Sequence, residues 1–157
     1  MGIPLHAIAG NHDTFYKNTN EINSLRQLYG NSSFDNIHLY WKKPVELDMD
    51  GCKIMLAPWL CADNWKESMQ MFKDTPAQVL MGHFEIAGFE MDKGHICADG
   101  MDKDIFSMFD SVYSGHFHQP STHGNISYLG SPYEMTWSDY DQKRGFNIFD
   151  TETREME

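Results

Sequence analysis

Three short segments of the sequence each close a hydrophobic run with a glycine and then present imidazole or amide groups. They are Ile8-Ala9-Gly10-Asn11-His12-Asp13, Leu80-Met81-Gly82-His83 and Tyr113-Ser114-Gly115-His116-Phe117-His118. Neutral imidazole and amide oxygen are ligands for first-row divalent metals. Residues two apart in extended chain share a face, so His116 and His118 can act on one target. Each segment alone has an ordinary reading: a strand terminus for Gly-His, a solvent-facing pair for His-x-His, a turn for Asn-His-Asp. Their common form is the stronger signal, because ligands in open α/β sheets bind beyond the carboxyl ends of strands. Glycine at each end is expected to let the backbone turn sharply and approach a ligand closely.

The rest of the chain supplies elements that could hold three such ends side by side. Short apolar runs at 5–9, 37–41, 78–81, 111–114, 126–129 and 145–149 read as strands. Val45–Met49 alternates and is followed by Asp50-Gly51 and a second run, Lys53–Ala57, which predicts a β-hairpin. Helical spacing of Ile22, Leu25 and Leu28 predicts a helix over 20–29 capped by Asn20. Trp65, Met69 and Phe72 predict a second helix over 62–73, and a third is expected over 101–109 with a solvated start at 99–104. Helices alternating with strands give a layered α/β domain with a mixed sheet. Six methionines (69, 71, 81, 91, 101 and 108) are expected to fill core gaps rather than hold a metal. His6, His38, His95 and His123 are read as structural or surface residues. Trp41, Trp59, Trp65 and Trp137 are read mostly as core, with Trp137 a candidate for lining the cleft.

Composition bounds the function. The 157 residues suit one domain, and 41% apolar content is enough for a core. With 12 basic against 23 acidic residues the formal net charge is −11, so the surface repels phosphate unless a cation or a partner intervenes. Cys52, Cys61 and Cys97 are widely spaced without a CxxC, which excludes a disulfide framework and a zinc ribbon and fits a reducing, cytoplasmic setting. No apolar run reaches the roughly 18 residues of a membrane span. Met1–Leu5 has neither a basic nor a hydrophobic leader region, so no signal peptide is expected.

Gly10-Asn11-His12-Asp13, Gly82-His83 and Gly115-His116-Phe117-His118 resemble the last three motifs of the calcineurin-like metallophosphoesterases. Within that superfamily the chain is similar to the nuclease subunits of SbcCD-type DNA-repair complexes and their counterparts in T-even-like phages. Supporting stretches are Asp50-Gly51-Cys52 leading to Pro58-Trp59, and Gly130-Ser131-Pro132 followed by Arg144-Gly145-Phe146. The resemblance implies a metallophosphoesterase-type mixed β-sheet sandwich flanked by helices. It implies that Asn11, His83 and His116 ligate one metal, that His118 ligates a second, and that His12 faces the scissile phosphate. Asp13 would hold His12 in orientation. The metals would be Mn²⁺, two in the complete domain and about 3.5–4 Å apart. DNA, a coiled-coil ATPase subunit of the SbcC type and a second copy of the chain are the implied partners. The setting would be the cytoplasm of a bacterium or a phage-infected cell.

The chain also departs from this pattern. The superfamily's first two motifs, Asp-x-His and Gly-Asp, occur nowhere in the 157 residues. Residues 1–157 are therefore expected to be the C-terminal half of a phosphoesterase domain, without its N-terminal metal motifs and its C-terminal capping region, and inactive by themselves. Two other readings share the same residues: a metallophosphoesterase acting on small phosphoesters, and a non-catalytic half-domain with a structural role.

Overall fold

The computed structural model describes residues 2–31, 34–92 and 94–157. Among these residues ten strands run in chain order: β1 (Leu5–Ile8), β2 (Ile37–Tyr40), β3 (Val45–Met49), β4 (Cys52–Ala57), β5 (Val79–His83), β6 (Glu90–Asp92), β7 (His95–Ile96), β8 (Ser111–Gly115), β9 (Ser121–His123) and β10 (Ile126–Tyr128). Two α-helices accompany them, α1 (Ser24–Tyr29) and α2 (Trp65–Asp74). Six strands form one mixed sheet in the order β3-β4-β5-β8-β10-β9. Its four central strands are parallel and the two edge strands antiparallel. β1 and β2 pair in parallel as a small separate sheet, and β6 and β7 form an antiparallel pair. The mixed α/β architecture expected from sequence is present, with fewer helices than the sequence suggests. Among the described residues, no helix is long and apolar enough to cross a membrane.

Central parallel strands are covered on both faces, so their sequences are nearly continuous apolar runs. Alternate residues serve opposite sides. Met55, Ala57, Leu80, Val112, Ile126 and Tyr128 pack on one face with Phe72 of α2, Phe84 and Phe106. Cys52, Ile54, Val79 and Tyr113 pack on the other, where Met49, Phe149 and Met156 lie against them. Met69, Met71, Met81 and Met101 fill gaps beside these cores, as expected; Met91 and Met108 are exposed. The β3–β4 hairpin turns on Asp50 and Gly51, both at positive φ, which is why the Asp-Gly pair is legible as a turn.

Several elements differ from expectation for local reasons. The first helix begins at Ser24, because Asn23 rather than Asn20 accepts from the Arg26 N–H. Asn20 is buried and donates instead to the carbonyls of Trp41 and Trp59. Over 101–109 only a 3₁₀ turn forms, at Lys103–Phe106. Met101 is held extended by bonds to Glu85 and Ala87, and Asp102 and Ser107 cap the turn within one revolution. Residues 145–149 form no strand beyond a single bridge between Phe149 and Met156. Phe146 and Ile148 are exposed, and of this run Phe149 packs against the core. Trp137 is 95% exposed and not core, and Trp65 is also partly exposed.

Candidate functional site

Parallel strands deliver all their carboxyl ends to one edge. Along that edge lie the turn after β1, the end of β4, His83 at the end of β5 and His116 just after β8. The Trp59 N–H donates to the Ala9 carbonyl at 2.7 Å, which ties the β1 turn to the chain leaving β4. His83 Nε2 lies 2.9 Å from Asn11 Oδ1, across 72 residues of sequence. The His83 and His116 rings stand 5.2 Å apart, centre to centre, and Trp59 packs against both at 6.1 and 5.4 Å. His12, His118 and Asp13 are close enough to act electrostatically on His83. The three sequence segments therefore do converge.

The glycines work differently from the sequence reading. None of Gly10, Gly82 and Gly115 has a positive φ; each makes room for a ring. A Cβ on Gly10 would stand 3.0 Å from His83 Cε1, and one on Gly115 would stand 3.0 Å from His83 Nδ1. His83 is thus seated between two glycines. A Cβ on Gly82 would meet the buried Phe84 ring at 2.2 Å. The backbone that turns sharply is His116 itself, at φ 91. Such a conformation is costly for a residue with a Cβ, and it persists only where the surroundings impose it. His116→Gly is accordingly expected to be more stable than His116→Ala by about 1 kcal/mol, although both lose the imidazole. Thermal melts of the two variants check this; equal melting would show that the turn is unstrained.

Asp13 shapes its own turn. Its carboxylate accepts from the Gly10 N–H at 2.8 Å and from Ser24 Oγ at 2.7 Å. Thr14 Oγ1 adds a bond to the Asn11 carbonyl. Among the described residues no hydrogen bond joins Asp13 to His12, so Asp13 acts on the loop that presents Asn11 and His12 rather than on the His12 ring. His118 Nδ1 faces Asp139 at 3.2 Å. Asp139 in turn meets Arg144, and both were missed as site residues at the sequence level, although Arg144 stands in one of the supporting stretches. The one local signal for Asp139 is its place as the last residue of the Thr136–Asp139 capping box. Glu85, also unassigned, has Oε2 4.0 Å from His116 Nε2.

Burial, seconded by the neighbouring His116, pushes the His83 imidazole down to about 4. Burial also lowers His116, with Glu85 opposing. Both rings are therefore neutral near pH 7, with a lone pair available to a cation. Two donors about 2.1 Å from a common cation and at right angles to each other stand about 3 Å apart. Asn11 Oδ1 and His83 Nε2, within hydrogen-bond distance of each other at 2.9 Å, are spaced as two donors to one cation would be, and amide oxygen and imidazole suit a divalent metal. Among the described residues there is no group of three or more His, Cys, Asp or Glu side chains disposed to hold a metal.

Comparison with known proteins adds an independent line. Exonuclease subunit 1 of Enterobacteria phage T4 is 40% identical over 156 residues, which is 99% of this chain and 45% of that protein. The chain is related to this phage nuclease subunit. It is also 24% identical to the SbcD component of the SbcCD nuclease from Staphylococcus epidermidis over 191 residues, and to that from Staphylococcus saprophyticus over 188 residues. The chain spans about half the length of the curated relatives it matches. No protein-family model matches it. The similarity to SbcD-type nucleases read from the motifs is thereby found again over nearly the whole chain.

Proposed function

We propose that this chain is the phosphate-facing part of a metal-dependent DNA nuclease subunit of the SbcCD type. The observation that carries the reading is the convergence of Asn11, His83 and His116 beside His12 on one sheet edge, in a chain 40% identical to a phage exonuclease subunit. Asn11, His83 and His116 would hold one divalent cation, Mn²⁺ by resemblance, and His118 would contribute to a second. Bound there, the metal would polarise a phosphoryl oxygen and lower the pKa of a water. His12 would donate a proton to the leaving oxygen or stabilise charge on the phosphoryl group. Trp59 and the two flanking glycines fix the His83 ring, so the geometry is set before substrate arrives.

Charge explains why partners belong to this reading. The net charge is −11, and Arg26, Lys42, Lys43, Lys53 and Arg144 all sit within ion-pair distance of acidic side chains. Acidic residues outnumber basic ones 23 to 12, so the surface as a whole repels a DNA backbone. The metal and a second polypeptide, an SbcC-type ATPase and a second copy of the nuclease subunit, would supply what the surface lacks. The missing Asp-x-His and Gly-Asp motifs leave no bridging carboxylate, so the 157 residues alone are expected to be inactive.

Mn²⁺-dependent cleavage of double- and single-stranded DNA tests the proposal, with the chain alone and with a polypeptide carrying an Asp-x-His and a Gly-Asp motif supplied in trans. Cleavage is expected only in the complemented sample. There His12→Ala should lower the rate at least a hundredfold without releasing metal. Robust cleavage of a small phosphomonoester, with none of DNA, would favour the small-phosphoester reading.

A further inference from the structure

Asp139 is 2% exposed, and several donors converge on its carboxylate. Oδ2 accepts from the Met135 N–H at 2.9 Å, the Thr136 N–H at 2.8 Å and Thr136 Oγ1 at 3.2 Å. Oδ1 accepts from the Arg144 guanidinium at 3.0 Å and lies 3.2 Å from His118 Nδ1. Two backbone N–H groups, a hydroxyl and a guanidinium all point at its oxygens, the surroundings of an ionised carboxylate. An ionised carboxylate only accepts, so the hydrogen between Oδ1 and Nδ1 belongs to the histidine. A neutral His118 ring then carries its one lone pair on Nε2.

The backbone of His118 is fixed by the same hands. Arg144 also donates to the His118 carbonyl and to Ser131 Oγ, and the Ser131 N–H donates to that carbonyl at 3.1 Å. The ring borders a cavity of about 240 Å³ that it shares with His116, Gln119, Thr136 and Ser138. We propose that Asp139, backed by Arg144, is a positioning residue that locks the His118 side chain in its Nδ1–H tautomer and makes Nε2 its donor to the phosphoester site. The donor role rests on the nuclease reading above, whereas the tautomer lock does not. A carboxylate behind a working imidazole fixes both its orientation and its tautomer, and losing it typically costs ten- to a hundredfold in activity or metal affinity.

Long-range ¹H–¹⁵N correlation spectra of the ¹⁵N-labelled protein, recorded metal-free near neutral pH, read the tautomer directly. His118 is expected as Nδ1–H, with Nε2 unprotonated. An Nε2–H ring, or a rapid average of the two forms, would overturn the proposal. Asp139→Asn is nearly isosteric: its amide oxygen can stay on the Met135 and Thr136 N–H groups while its NH₂ faces Nδ1. The variant should therefore show His118 as Nε2–H and, in the complemented protein, a ten- to hundredfold lower kcat with KM for DNA unchanged. A folded Asp139→Asn that keeps both the Nδ1–H ring and full kcat would make Asp139 a structural strut and overturn the proposal. Wild-type His118 found as Nδ1–H, in a complemented protein that cleaves nothing, would uphold the lock and overturn the nuclease reading instead.

Discussion

Gly82→Ala is expected to destabilise the protein by about 3 kcal/mol, the upper end for one added methyl in a packed core. The new Cβ would stand 2.2 Å from Cζ and 2.3 Å from Cε2 of Phe84, closer than any real contact. Phe84 cannot step aside. Its ring is fully buried against Phe72 and Phe106, its N–H donates to Ser114 Oγ and its carbonyl accepts from the Tyr128 hydroxyl. Relief would have to come from β5 itself, which carries His83 one residue later. Gly145→Ala is the control, because nothing lies within 4 Å of its added Cβ and its φ is not positive. Urea unfolding should show a large fall in midpoint for Gly82→Ala and almost none for Gly145→Ala, with similar slopes. Equal midpoints would mean that Phe84 has room the structure does not show.

Mild acid should destabilise the metal-free protein through His83. In the unfolded chain an imidazole takes its proton near pH 6.5, whereas in the fold burial and His116 delay this to about 4. Between those values the unfolded state binds the extra proton, so stability falls as pH falls. The contribution is fully present above about pH 6.5 and lost on approaching pH 4, amounting to roughly 3 kcal/mol at 1.36 kcal/mol per pH unit. His83→Gln keeps an amide near Asn11 but cannot titrate, so its stability should be flatter over this range. Denaturation midpoints collected from pH 7.5 to 4 check it. Parallel curves for the wild type and His83→Gln would remove His83 as the cause. A bound divalent cation competes with the same proton, so Mn²⁺ should shift the wild-type loss to lower pH.

What the sequence made legible, and what it hid, follows from range. β5 and β8 are buried on both faces, so each appears as an apolar run, and each ends where a glycine and a histidine break it. That was enough to place His83 and His116 together. The work of the glycines was not legible, because the ring that needs the space at Gly10 arrives from 73 residues away. Asp139 was hidden for the same reason. Its partner His118 stands 21 residues away and meets it only in the fold, whereas Met135, Thr136 and Arg144 are near in sequence and read as a local turn. Short pairings such as β6–β7 and β9 carry too few residues to show a period. Residues 145–149 misled in the opposite direction: the apolar run reads as a strand, yet it makes only a bridge to Met156 and joins none of the described sheets.

Calorimetric titration of Mn²⁺ into the metal-free protein tests the central claim most directly. The account predicts one weak equivalent in the wild type, because Asn11, His83 and His116 can share one cation while His118 alone cannot retain a second. That binding should vanish in His83→Ala and in Asn11→Ala, and should stay within a few-fold in His12→Ala, whose ring is assigned to the phosphate. Two tight equivalents in the wild type, or full binding by His83→Ala, would contradict it and would point to Glu85 or Asp13 as the carboxylate that completes the site.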